Sequence, residues 1–154
     1  MSKRAEILSA LKTSWAIQSD GRYYVRRGPI DWLHFDFISN PYAVAIVVEA
    51  SALPIPASFT NQPAAFRTLT VAFEVFQRMP QGAQQPELSE VVQEQLVADI
   101  IAVIADMHTR KATDGTPLID AVETPDDALS DWSDSTIGVQ GVVASIPMSY
   151  HEVS

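Results

Sequence analysis

The residues able to do chemistry lie scattered along this chain, and no catalytic spacing joins them. His34, His108 and His151 fall in three separate stretches, and no two of them have the spacing of a metal site. The one dense carboxylate group is Asp126-Asp127-Ala-Leu-Ser-Asp131-Trp132-Ser-Asp134. A calcium loop sets oxygen ligands at alternate positions around a turn glycine and closes on a bidentate glutamate. This segment has neither that glycine nor that glutamate, so it reads as a solvated loop with at most weak affinity for cations. No G-x-S-x-G elbow strains a serine into a nucleophile, and no G-x-x-x-x-G-K or G-x-G-x-x-G cradles a phosphate. Cysteine is absent, which excludes disulfides, thiolate catalysis and cysteine-ligated zinc. The expectation is a protein with no catalytic, metal or cofactor site.

Charge is the stronger signal. All 10 Lys and Arg residues lie at or before Lys111, while Asp114, Asp120, Glu123, Asp126, Asp127, Asp131, Asp134 and Glu152 follow it. The first 27 positions lean the other way, with Lys3, Arg4, Lys12, Arg22, Arg26 and Arg27 against Glu6 and Asp20. A fold with one basic and one acidic end can pair with copies of itself head to tail, closing a ring if the rotation allows. The candidate contacts are Arg22, Arg26 and Arg27 on the basic side and Asp126, Asp127, Asp131 and Asp134 on the acidic side. The stretch Arg22-Tyr23-Tyr24-Val25-Arg26-Arg27 has two other uses open to it, stacking nucleic-acid bases and pairing within its own chain. A solvated acidic tail behind a neutral domain would produce the same sorting of charge.

With 154 residues the chain fits one domain, 1–154, with a core of useful size. A net charge of −9 argues against coating DNA or anionic membranes, both of which would repel it. Glu6 and the polar spacing after it spoil an apolar leader, and the longest apolar run, 42–48, is too short to span a bilayer. A soluble protein made in a cytoplasm is expected.

The elements follow from periodicity. Residues 3–18 place Ile7, Leu11 and Trp15 on one helical stripe, closed by Asp20-Gly21. No single period fits 22–40, which reads as a packed loop or short hairpin. Residues 42–49 read as a strand buried on both faces, 51–63 as an extended Pro-rich loop, and 66–78 as an alternating strand. A long helix is expected over 86–111, with Leu88, Val92, Leu96, Ile100, Ile104 and Met107 as its core stripe. A short strand is expected at 118–123 and an acidic loop with a helical turn at 124–136. Residues 137–153 close the chain as a strand in which Pro147 demands an edge or a bulge. The fold class is therefore α/β of the α+β type: a small, mainly antiparallel sheet packed by an N-terminal helix and one long helix.

This order, from Ala-Glu-Ile-Leu-Ser-Ala-Leu (5–11) through Pro41-Tyr-Ala-Val-Ala-Ile-Val-Val48 and Arg67-Thr-Leu-Thr-Val-Ala-Phe-Glu-Val-Phe76 to a long helix, an acidic segment around Trp132 and a strand ending Ser149-Tyr150, resembles the tail terminator proteins of long-tailed bacteriophages. These are the minor tail protein U-like family, with relatives in the head–tail neck. The resemblance covers nearly the whole chain and rests on pattern and order. It implies a homo-hexameric ring that caps the tail tube protein, stops its polymerisation and meets the head–tail connector or stopper protein. It also implies no catalytic residues, no cofactor, no membrane, and DNA only as a passing occupant of the channel. Such a protein belongs to the tail or neck of the virion and is assembled in the host cytoplasm. The 22–40 and 51–63 stretches depart from the family's pattern, so a neck adaptor or stopper stands beside the terminator as an expectation. A small-molecule enzyme or binding domain with an unrecognised site is the reading from a different class.

Overall fold

The computed structural model describes residues 2–18, 20–52, 64–79, 86–122, 129–134 and 138–153. The first helix, α1 (Lys3–Gln18), starts where Ser2 Oγ accepts a hydrogen bond from the Ala5 amide at 3.2 Å, a side-chain cap for an otherwise orphaned donor. It stops where Gly21 N–H reaches Ala16 O at 2.8 Å and Asp20 N–H reaches Ile17 O at 3.2 Å. That pair of bonds needs a left-handed residue, supplied by Asp20 at φ 54°, a conformation Asp tolerates better than most side chains.

Six strands and a second helix follow: β1 (Tyr24–Arg27), β2 (Tyr42–Ala52), β3 (Ala64–Arg78), α2 (Pro86–Thr109), β4 (Ala121–Val122), β5 (Leu129–Asp134) and β6 (Val139–Val153). They form one sheet in the order β1-β2-β3-β6, and the far side of β6 is shared end to end by β5 and β4. Every pairing is antiparallel except β1 with β2. The fold is thus α+β, with a mainly antiparallel sheet packed by the N-terminal helix and the long helix.

Alternation along the strands sends two sets of side chains to two cores. Val44, Ile46, Leu69, Val71, Phe73, Val75, Val142, Ala144, Ile146, Met148 and Tyr150 meet Ile7, Leu8, Leu11 and Trp15 of α1 and Leu96, Ile100, Val103 and Met107 of α2. Trp15 sits at its centre, edge-on to Tyr23 at 5.1 Å and Phe73 at 5.6 Å. The two helices are also joined by Ser14 Oγ, which donates to Asp106 Oδ2 at 2.6 Å, with Arg110 Nε on the same oxygen at 2.8 Å. On the opposite face a smaller core joins Ile30 and Phe37 to Ala43, Ala45, Phe76 and Val139. β2 is therefore buried on both faces, as its β-branched density predicts.

Four expectations are corrected. Of the two expectations for 22–40, the hairpin is overturned, because β1 (24–27) is a strand parallel to β2, which requires a crossover; the packed loop holds for 28–41, which make that crossover across the face opposite the helices. Within the stretch expected as an acidic loop with a helical turn, 129–134 instead form β5, hydrogen-bonded along β6 from Leu129↔Ala144 to Asp134↔Val139; 124–128 and 135–136 lie outside the described residues. Ser51 and Ala52 belong to β2 rather than to the loop expected over 51–63; residues 53–63 lie outside the described residues. Pro147 was expected to put its strand at an edge or a bulge, but β6 lies inside the sheet between β3 and the β5 and β4 pair, in unbroken register with β3. Ser149 O points at the outer edge, where it accepts from the Asp120 amide at 2.8 Å, so Pro147, two residues earlier, faces the same edge. There it falls in the gap between β5, which ends at Ala144, and β4, which ends at Met148.

Candidate functional site

The sheet register sets the two outer strands level with each other. Tyr24 aligns through Ala43, Phe76 and Gly141 with Trp132, and Arg27 aligns through Ile46, Phe73 and Ala144 with Leu129. One edge of the sheet thus ends in Tyr-Val-Arg-Arg and the other, at the same height, in Leu-Ser-Asp-Trp-Ser-Asp. Asp131 is paired to Val142 and Asp134 to Val139 on β6. Asp126 and Asp127 lie outside the described residues.

The three arginines divide. Arg22 is spoken for: its Nη2 lies 2.9 Å from Asp99 Oδ2 of α2, and its guanidinium covers the rings of Tyr23 and Tyr42 at 5.5 and 5.3 Å. Tyr23 Oη donates to the same Asp99 oxygen at 2.7 Å, and Gln95 Nε2 donates to Oδ1 at 3.0 Å. Burial and then the bond to Asp99 push the Tyr23 phenol far above its usual range. This network straps the chain just before β1 to α2 and is intramolecular. Arg26 and Arg27 are exposed and make no hydrogen bond or ion pair among the described residues. Apart from the ladder to β2, no described segment hydrogen-bonds to the main chain of β1. Among the described residues, its outer row of amides and carbonyls has no partner.

Two polar groups escaped the sequence reading. On the face away from the helices, Glu49 is the extra residue of a β-bulge between Val48 and Ala50, and its Oε1 accepts from Ser145 Oγ at 2.7 Å. Glu74 lies close by, and desolvation followed by repulsion from Glu49 raises its pKa above the ordinary glutamate value. The visible signal was a lone glutamate in the Thr68, Thr70, Ala72 row of β3; its partner, 25 positions earlier on a bulge, was not readable. The second group lies at the start of α1. Lys3 Nζ, nearly buried, donates to Thr116 Oγ1 at 3.0 Å and to His151 O at 2.8 Å. Glu6 Oε1 accepts from the Thr113 amide at 2.9 Å and from the Thr113 hydroxyl, bonds that hold its pKa below the usual value.

The histidines stay apart. His34 Nδ1 is 2.7 Å from the exposed Asp31, His108 is exposed near the end of α2, and His151 Nδ1 is 3.8 Å from Asp120 Oδ2. Among the described residues no group of three His, Asp or Glu side chains is arranged to hold a metal ion, and no helix is long and apolar enough to cross a membrane. Among the described residues, the main-chain edge of β1 and the guanidinium groups of Arg26 and Arg27 have no partner, and β5 forms the opposite edge of the sheet at the same height. No protein-family model matches the chain, and no curated protein matches it.

Proposed function

We propose that this chain is a ring-forming structural protein of a phage virion, a tail terminator that caps the tail tube and joins it to the head connector. The observation that carries the reading is the placement of opposite charge on opposite edges of one sheet at the same height. Copies that meet through unlike edges make a heterologous contact, which closes into a ring when successive copies are related by rotation without rise. The element order supplies the rest of the reading by its resemblance to tail terminators: a hexamer whose partners are itself, the tail tube protein and a head–tail connector or stopper. DNA is a passing occupant, which a net charge of −9 suits because the wall does not hold phosphates. The crossover at 28–41, a layer outside the terminator pattern, favours a neck adaptor or stopper as the second reading.

Native mass spectrometry and electron microscopy with tail tubes test this. The expected result is a species of six copies, or a monomer that assembles as rings on tube ends and halts their elongation. A protein that binds finished tails without halting elongation is the neck protein instead. A monomer that forms no ring, caps no tube and binds no connector overturns both.

A further inference from the structure

We propose that the ring contact is a main-chain ladder, with β1 of one copy pairing antiparallel to β5 of the next. The inference rests on the ring-forming reading and names its interface. Strand directions fix the sense of pairing: β1 and β2 run together, β3 runs against them, β6 with them and β5 against them. Under rotation about an axis along the strands, an incoming β1 therefore meets β5 running the opposite way. Level pairing sets Tyr24 opposite Trp132 and Arg27 opposite Leu129, which puts no rise between copies and so favours closure over a helical filament. In that register Arg27 and Asp131 are diagonal neighbours on one face of the joined sheet.

Charge decides which edges can meet. Open strand edges pair indiscriminately unless something prevents it, and charged side chains are a common device. Two β1 edges brought together would oppose arginines, and two β5 edges would oppose aspartates. Only the unlike pair is attractive, so the same residues that block isologous dimers select the head-to-tail contact. The occupant of each edge is a second copy of this chain.

The test uses two charge-reversed proteins, Arg26→Glu/Arg27→Glu and Asp131→Lys/Asp134→Lys. Each alone carries like charge on both edges and is expected to lose ring formation, with association at least about tenfold weaker. Mixed in equal amounts they present acidic β1 to basic β5 and basic β1 to acidic β5, so rings of alternating copies should return. Far-UV circular dichroism of each variant separates this from misfolding. Because the chain has no cysteine, Arg26→Cys combined with Ser130→Cys adds a second readout: oxidation should give covalent oligomers beyond the dimer. Rings that form equally from either variant alone, or oxidation that stops at dimers, overturn the ladder while leaving the ring reading intact. Native chains that form no ring, free or on tail tubes, overturn both.

Discussion

Glu74 carries its charge against the grain of the fold. It sits on the sheet beside Glu49 with part of its hydration removed, so its pKa in the folded chain lies above the ordinary glutamate value of 4.5. As pH rises from there, the unfolded chain gives up the proton first, and the native state, which still holds it, loses ground. Stability contributed by the protonated group is present below about pH 4.5 and falls until the folded carboxyl has ionised. Glu74→Gln should therefore raise the melting temperature at pH 7 and leave it unchanged near pH 4; an equal shift at both values would mean that packing, not charge, is responsible. Arg22 teaches the complementary lesson. In sequence it was grouped with Arg26 and Arg27, yet Asp99, 77 positions away, claims it. Pairing partners at that separation leave no local pattern to read.

Among the elements, α1, β2, β3, α2 and β6 were legible because each repeats its apolar residues at the helical or strand period over eight positions or more. The two edge strands were not. β1 has a single inward apolar residue, Val25, and is a strand because β2 offers it a ladder. β5 reads Leu-Ser-Asp-Trp-Ser-Asp, too polar for its propensity to decide, and is likewise recruited by a neighbour, β6. The charge assigned to candidate contacts was thus visible in the sequence, whereas its delivery to two opposite edges was not. The crossover at 28–41 has its own test. Phe37 packs on Phe35 at 4.8 Å and on Phe76 at 6.1 Å, pinning the segment to the sheet. Phe37→Ala should cost about 3 kcal/mol. Because the main core lies on the other face, hydrogen exchange should accelerate in 28–41 well before it does in α1 and α2. Uniform acceleration would mean that the two faces unfold as one unit.

At the scale of the molecule, two electrostatic effects compete. Under the proposed ring contact, copies of net charge −9 repel at a distance while their unlike edges attract on contact. Salt separates the two, since the screening length falls from about 30 Å at 0.01 M to about 8 Å at 0.15 M, and contact pairs are screened less than distant charges. Association should tighten between those concentrations, as sedimentation velocity can show. Steady weakening over the same range would mean that long-range attraction outweighs net repulsion.

The buried Lys3 ammonium takes its acceptors from Thr116 and from the carbonyl of His151, so the first turn of the chain is fastened to its last strand. On a translating ribosome that fastening is unavailable until residue 151 has emerged. β6 arrives in the same interval, and before it does β5 has no strand to lie on and the acidic edge does not exist. A nascent chain therefore carries β1 on β2 before it can carry β5 on β6. On the proposed ladder, a copy gains its acidic edge only once residues 139–153 have been made, so its two edges become available in a fixed order.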